Sequence, residues 1–507
     1  MIIAMTGASG HMGIECIREV LALPQVRLLK VLLLKTPFDR RYARTLARTY
    51  GDRIAIRFGD VRDMEDCRWL VEGADYVFHL AAVIPPLADH DDELTVTTNY
   101  DGTVNMVNAT IEAGNTAKFV HISTVAIYGN RHRKHPWGRV GDPLIPSPYD
   151  VYGTSKMRGE RYVLESGLNK WAILRQTGVL YDNLLMNNIS DGLMFHTPWN
   201  VPIEWATAKD SGRLLSRIVE YDGQGKVDDF WYDLYNLGDG AGARQTGYDT
   251  FDDGFRLIGG SVKTFFKPHW NAPRNFHCFW FADSDKLEEM FHFRTMGTAE
   301  FWAWFKSRHA VYAAGRIFPL ALLRAFTIKP LLRNSNAPMY WKDHGMEGRV
   351  FAAYGEGEVA HDWRDFALWR EDPDYESIRK DPTYKPLSHG YDDSKPKGEL
   401  NIEDVKQAAL FRGGKCLSES MAQGDWLTPL TWECHQGHVF QAKPVTVLRG
   451  GHWCPVCCSP DKKWDFDRLA KHIPYIAQVW YDTHAKDENR VYEIVDGVPT
   501  MERFEEE

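Results

Sequence analysis

The chain opens on Met1-Ile2-Ile3-Ala4-Met5, an unbroken apolar run too short for a helix and suited to a strand buried on both faces. A helix-like run follows from Met12 to Leu23, and Leu29-Lys30-Val31-Leu32-Leu33-Leu34 predicts a second strand. Trp171-Ala172-Ile173-Leu174 begins a later strand whose exit loop runs through Tyr181. Strands alternating with helical patterns predict an α/β fold with a parallel sheet.

Beyond Tyr181 the pattern changes. Leu184, Leu185, Met186, Met194, Phe195, Trp199 and Trp205 are followed by Phe265, Phe266, Trp270, Phe276, Phe279, Trp280 and Phe281. This aromatic density fits either a pocket for a bulky apolar substrate or the core of a substrate-binding subdomain. From Phe301 to Arg333, aromatic and aliphatic residues alternate with Lys306, Arg308, Arg316, Arg324, Lys329 and Arg333, and no acid appears. Such a segment suits a membrane surface, a lid, or a packed helix with a solvated basic face, and Pro319 should break or bend it. Residues 334–400, rich in acids, aromatics and prolines, read as an irregular connector packed on a neighbour, and Glu505-Glu506-Glu507 as a frayed end.

Two short motifs suggest a chemistry. Thr6-Gly7-Ala8-Ser9-Gly10-His11-Met12-Gly13 joins the first strand to the first helix, where glycines let the backbone approach a pyrophosphate and the helix start offers free N–H groups. Tyr152-Gly153-Thr154-Ser155-Lys156 sets a phenol and an ammonium one helical turn apart, on one face. Together they resemble the extended short-chain dehydrogenase/reductase family, and the likeness runs from residue 1 to roughly 300. Other segments resemble it too: Gly59-Asp60-Val61-Arg62-Asp63, His79-Leu80-Ala81-Ala82, Asn99-Tyr100-Asp101-Gly102-Thr103, and Val120 to Gly129.

The resemblance implies a Rossmann-type doubly wound parallel sheet with a smaller substrate subdomain, mainly 180–300. It implies Thr124, Tyr152 and Lys156 as catalytic residues, with Thr124 chosen over Ser123 by register to Tyr128-Gly129. Gly7, Ser9, Gly10, His11, Met12, Gly13, Asp60, Val61, Leu80, Ala81, Ala82, Asn99, Tyr152 and Lys156 would line the cofactor, Asp60 at the adenine amino group. Lys156 and a cationic nicotinamide would favour the phenolate of Tyr152, which is otherwise a poor base at neutrality. A carboxylate at the end of the second strand favours NAD, a base NADP. Lys35 stands there, with Arg40 and Arg41 behind it, so NADP is expected and NAD is the alternative, favoured if Asp39 turns inward.

A length of 507 residues predicts more than one unit, here 1–300, 301–400 and 401–507. Net charge −9 gives no overall attraction to nucleic acid. A strand starting at Met1-Ile2 leaves no room for a signal peptide, and no apolar run reaches a membrane span, so the expected location is cytoplasmic. Cys416, Cys434, Cys454, Cys457 and Cys458 cluster in one segment. Trp432-Glu433-Cys434-His435-Gln436-Gly437-His438 and Cys454-Pro455-Val456-Cys457 resemble the two halves of a small zinc ribbon or treble clef. The expected ligands are Cys434, His438, Cys454 and Cys457, with Cys416, His435 and Cys458 as alternatives. Four protein ligands make the site structural, because no position stays open for water.

The expected function is alcohol–carbonyl interconversion on a hydrophobic small molecule. A nucleotide-sugar epimerase or dehydratase with tightly bound NAD is one alternative, and a redox-sensing protein using its zinc domain is another. Peripheral membrane contact through 301–333 and a homodimer are the expected partnerships.

Overall fold

The computed structural model describes residues 1–184, 191–458, 463–495 and 498–503. Leu185, Met186 and Glu505–Glu507 lie outside the described residues. The main sheet contains β1 (Ile2–Thr6), β2 (Leu28–Leu33), β3 (Ile54–Phe58), β4 (Tyr76–His79), β5 (Lys118–Thr124), β6 (Trp171–Gln176) and β7 (Asp233–Leu237). Their order is β7-β6-β5-β4-β1-β2-β3, and every pairing is parallel. The order reverses at β1, so the cleft between the loops after β1 and β4 opens at the carboxyl edge.

Helices cover both faces, as a parallel sheet of apolar strands requires. On one face α1 (His11–Ala22) packs through Ile17 and Val20 near Leu214 and Ile218 of a late helix, Ala208–Asp222. α2 (Pro37–Tyr50) adds Ala43 and Leu46 to the same core, and on the other face lie α3 (Met64–Val71), α4 (Gly102–Glu112) and α5 (Val151–Glu165), with Leu70, Val107 and Val163 in one core. Asp150 caps α5 by accepting from the Gly153 N–H at 2.7 Å, which sets where the helix begins and so where Tyr152 points.

The aromatic residues after β6 are core rather than pocket wall. Phe195, Phe265, Phe266, Phe279, Trp280 and Phe281 are essentially inaccessible; Phe265 stacks on Phe255 and the others pack edge to face against other rings. That corrects the pocket reading for these positions: the subdomain needs them to fill its own interior.

Residues 334–400 pack on the rest of the chain, as the aromatic content predicts. Trp369 stacks on Trp280, and Arg139 donates to the Leu387 carbonyl. The last hundred residues form a three-stranded antiparallel sheet, β8 (Lys415–Cys416), β9 (Leu430–Glu433) and β10 (Val439–Ala442), beside a helix at Ile402–Phe411. Their core, built on Trp432, Trp453, Phe440 and Leu448, also takes in Ile145 from the first 300 residues. This unit is seated on the sheet domain and does not hang from a linker.

Candidate active site

The glycine turn has the geometry that a pyrophosphate needs. Gly7 adopts φ +69°, and a Cβ there would meet the Leu80 carbonyl carbon at 2.8 Å. A Cβ at Gly13 would lie 2.2 Å from the Gly7 oxygen, so any side chain would close the turn. The start of α1 at Gly10 has no side-chain cap, and its first turn holds no acid. Its N–H groups and positive dipole end are therefore left for an anion. Ser9, His11 and Met12 border this turn, and the His11 ring stacks on Tyr181 at 3.7 Å.

The Thr6 hydroxyl accepts from the backbone N–H groups of Leu80 and Ala81, both at 3.0 Å, and so holds the exit of β4 against the glycine turn. Leu80, Ala81 and Ala82 are only partly buried there. The Asp60 carboxylate is gripped by Arg62, at 2.8 Å through Nη2 and 3.1 Å through Nε. Val61 is buried, and its carbonyl accepts from Asn105. Asn99 is wholly buried: its amide pairs with the backbone of Val83 and donates to the Ser155 hydroxyl at 3.1 Å. It thus ties the β4 exit loop to α5.

Thr124 ends β5, where its hydroxyl accepts from the Ala126 N–H and hydrogen-bonds the Tyr152 phenol. Ser123 is buried, and its hydroxyl has no partner among the described residues. Burial pushes the Tyr152 phenol up to about 12; the Thr124 hydrogen bond pulls it down and the Asp150 carboxylate pushes it up. Burial, Thr124 and Asp150 set this value, and Lys156 is not among its causes. The buried Lys156 ammonium donates to the Ile122 carbonyl at 2.6 Å, and its charge acts on His79 and His121, both already lowered by burial. Burial brings Lys156 itself down to about 8, opposed by Glu160 one turn farther along.

Asp150 is the acid that the motifs did not announce. Burial raises its carboxyl to about 7, against the Gly153 N–H that favours the anion. As pH rises through about 7 the anion forms and pushes the Tyr152 phenol further up, so phenolate becomes harder to supply. The rate of any step that needs the Tyr152 phenolate should show this ionisation between about pH 6 and pH 8, and Asp150→Asn should erase it while keeping an acceptor for Gly153. A variant profile that overlays the parent's would remove Asp150 from the account.

A second group behind α5 was also hidden in the sequence. The fully buried Glu160 and Arg175 form a paired contact at 2.5 and 3.0 Å, and Arg175 also donates to the Tyr128 hydroxyl. From the last hundred residues, His452 joins Glu160 at 3.0 Å, and the Gly450 carbonyl accepts from Arg175 at 2.5 Å. Arg161 donates to the Trp453 carbonyl at 2.6 Å. The segment 450–453 is therefore wedged against the back of the helix that carries Tyr152 and Lys156.

Immediately after that wedge, the ligand atoms of Cys434, His438, Cys454 and Cys457 all lie within 4.8 Å of one another. His438 Nδ1 is 3.4 Å from the Cys434 sulfur and 3.2 Å from that of Cys457, close to the edges of a tetrahedron about a zinc ion. Cys416 instead lies near the Ser418 carbonyl, and His435 stacks on His472; these and Cys458 are outside the group. The donor set of soft thiolates with one imidazole fits zinc, and His438 joins through Nδ1.

The fold is a Rossmann-type α/β domain in which Thr124, at the end of β5, lies beside Tyr152 and Lys156 at the start of α5. Residues 3–175 match the model of the NAD dependent epimerase/dehydratase family. It is 25% identical over 178 residues to 3 beta-hydroxysteroid dehydrogenase type 7 of Rattus norvegicus, covering 34% of this chain and 50% of that protein. It is 27% identical over 169 residues to an uncharacterized membrane protein of Methanocaldococcus jannaschii, covering 33% of this chain and 44% of that protein. The chain thus spans about half the length of the curated relatives it matches. A dTDP-glucose 4,6-dehydratase structure from Streptomyces venezuelae with NAD bound superposes with a TM-score of 0.48 at 18% identity, over 62% of this chain and 99% of that one.

Proposed function

We propose that the protein is a nicotinamide-dependent oxidoreductase interconverting an alcohol and a ketone or aldehyde on a hydrophobic small molecule. The observation that carries this reading is the Thr124 hydroxyl hydrogen-bonded to the Tyr152 phenol, with Lys156 one turn along the same helix. The Gly7, Gly10 and Gly13 cradle would hold the pyrophosphate, and the nicotinamide, when bound, would supply hydride transfer and, if oxidised, a positive charge. Thr124 would hold the substrate oxygen. Tyr152, neutral at physiological pH because its phenol sits near 12, would donate its proton to a carbonyl oxygen during reduction. In the reverse direction the phenol must first ionise, so oxidation should speed up with alkali once Asp150 has ionised, above about pH 8.

The cofactor reading follows from the end of β2. Lys35 is exposed, while Asp39 is buried, its carboxylate accepting from Thr36 at 2.6 Å at the start of α2. The carboxylate that would serve an NAD ribose is thus turned into a helix start, and Lys35 is left to meet a 2′-phosphate. The substrate reading is supported by residues 180–215, which hold only Lys209 and Arg213 as basic residues, a poor set for a sugar nucleotide diphosphate. The steroid dehydrogenase relative is consistent with it. Zinc at the four-ligand group would be a structural cross-link.

Initial rates with a panel of hydrophobic ketones test this. Expected are consumption of reduced cofactor, a preference for NADPH over NADH on the order of tenfold, and loss of that preference in Lys35→Asp. Equal kinetics with both cofactors in parent and variant would refute the NADP assignment. The family match favours one second reading, an epimerase or dehydratase with tightly held NAD. It predicts product without net cofactor turnover.

A further inference from the structure

We infer that residues 301–333 dock the protein on an anionic lipid surface. Three consecutive short helices, Ala310–Ile317, Leu320–Thr327 and Pro330–Arg333, contain no buried residue, although their sequence is among the most apolar in the chain. Val311 is 76% exposed, Ile317 82% and Phe326 79%, and Phe318 and Leu322 are each more than half exposed. Apolar side chains displayed in this density on one short stretch of surface need a covering partner.

The anchoring is one-sided. Ile328 is fully buried, and Leu320, Leu323, Leu331 and Leu332 pack against a core that holds Phe265, Phe266 and Trp270. Arg324 lies 4.9 Å over the Trp270 ring. The segment is therefore fixed to the body of the protein by one set of residues while a different set faces outward, which is how a preformed docking surface is built. The break falls at Pro319: the two halves, Ala310–Ile317 and Leu320–Arg333, meet at 116°. Together they have the length and hydropathy of a membrane span, but no single helix among the described residues is long and apolar enough to cross. A bent apolar ridge suits lying in the interface, not passing through it.

Charge names the occupant. The chain carries −9 overall, yet residues 301–333 hold six cations and no acid. Lys306, Arg316, Lys329 and Arg333 are exposed, and none has an ion-pair partner among the described residues. Arg308 is the exception, paired with Asp182 at 3.2 Å. Exposed Phe, Ile and Leu flanked by unpaired Lys and Arg match an acyl–headgroup boundary bearing negative lipid. A self-association surface would instead bring the four exposed cations Lys306, Arg316, Lys329 and Arg333 of one copy toward those of the next. The surface also lies near the cofactor turn: Phe301, Trp302 and Phe305 pack with Leu180 and Leu184, adjacent to Tyr181, whose ring stacks on His11. Docking is independent of the redox chemistry and is tested without it.

The test is sedimentation of the full-length protein with phosphatidylcholine vesicles, alone or with about one third phosphatidylserine, at low and high salt. The protein should pellet with the anionic vesicles at low salt and be released as salt rises. Ile317→Glu with Phe326→Glu should abolish pelleting, and Lys329→Gln with Arg333→Gln should weaken partitioning by about 30-fold, roughly fivefold per cation. Because all four side chains are on the surface, thermal unfolding of each variant should match the parent and exclude misfolding. Failure to pellet with anionic vesicles overturns the proposal. So does pelleting that the glutamate variants retain, or a dimer that they dissociate in the absence of lipid.

Discussion

Replacing Tyr152 with Phe should lower kcat/KM by about 10³-fold while cofactor affinity stays within about twofold of the parent. The substitution removes one oxygen and leaves the ring. The helix start depends on Asp150 and Gly153, and the Lys156 ammonium is held by the Ile122 carbonyl, so neither needs the phenol. The lost hydrogen bond to Thr124 should cost about 1 kcal/mol of stability, too little to unfold the domain. Isothermal titration with the cofactor and steady-state rates on one preparation separate the two effects. A variant that turns over within tenfold of the parent would show that the proton is moved elsewhere, and Asp150 would be the first residue to suspect.

Cys434→Ser should reduce bound zinc from about one ion per chain to nearly none, and lower Tm by well over 5 °C. Cys434 and Cys454 sit in the core with Trp432, Trp453 and Phe440, so losing the metal loosens that core. The consequence should reach the active helix. Gly450, His452 and Trp453, just before Cys454, supply partners to Arg175, Glu160 and Arg161. Without them a buried ion pair loses hydrogen bonds it cannot replace with water, at a cost on the order of 2–4 kcal/mol. Chelation of the parent should therefore depress activity and Tm together. Unchanged metal content in the variant would take Cys434 off the ligand set, and unchanged Tm after metal loss would show that the ion carries no structural load.

What the sequence revealed divides by distance along the chain. The glycine turn, the Tyr-Lys pair and the Cys and His spacings are local patterns, and each corresponds to a compact arrangement in space. The contact between Glu160 and His452 joins residues nearly three hundred positions apart, and no spacing rule announces it. Lys156 was legible as a residue but not as a contact: helical periodicity puts it near Tyr152, whereas the nearby Ile122 carbonyl determines where its ammonium goes. Aromatic density was ambiguous for a related reason. A pocket wall and a packed core have the same composition, and only burial tells Phe265 and Phe279 from exposed Phe326. Asp39 shows the same limit, since a carboxylate near the ribose site and one at a helix start look alike until the Thr36 bond is seen.

The proposed reaction moves hydride and proton between substrate and an exchangeable cofactor. The most direct test is the ratio of cofactor oxidised, read from the absorbance of reduced nicotinamide, to alcohol formed from a hydrophobic ketone. A ratio of about one, with both quantities abolished in Tyr152→Phe, is expected. Product accumulating with no net change in reduced cofactor would contradict it.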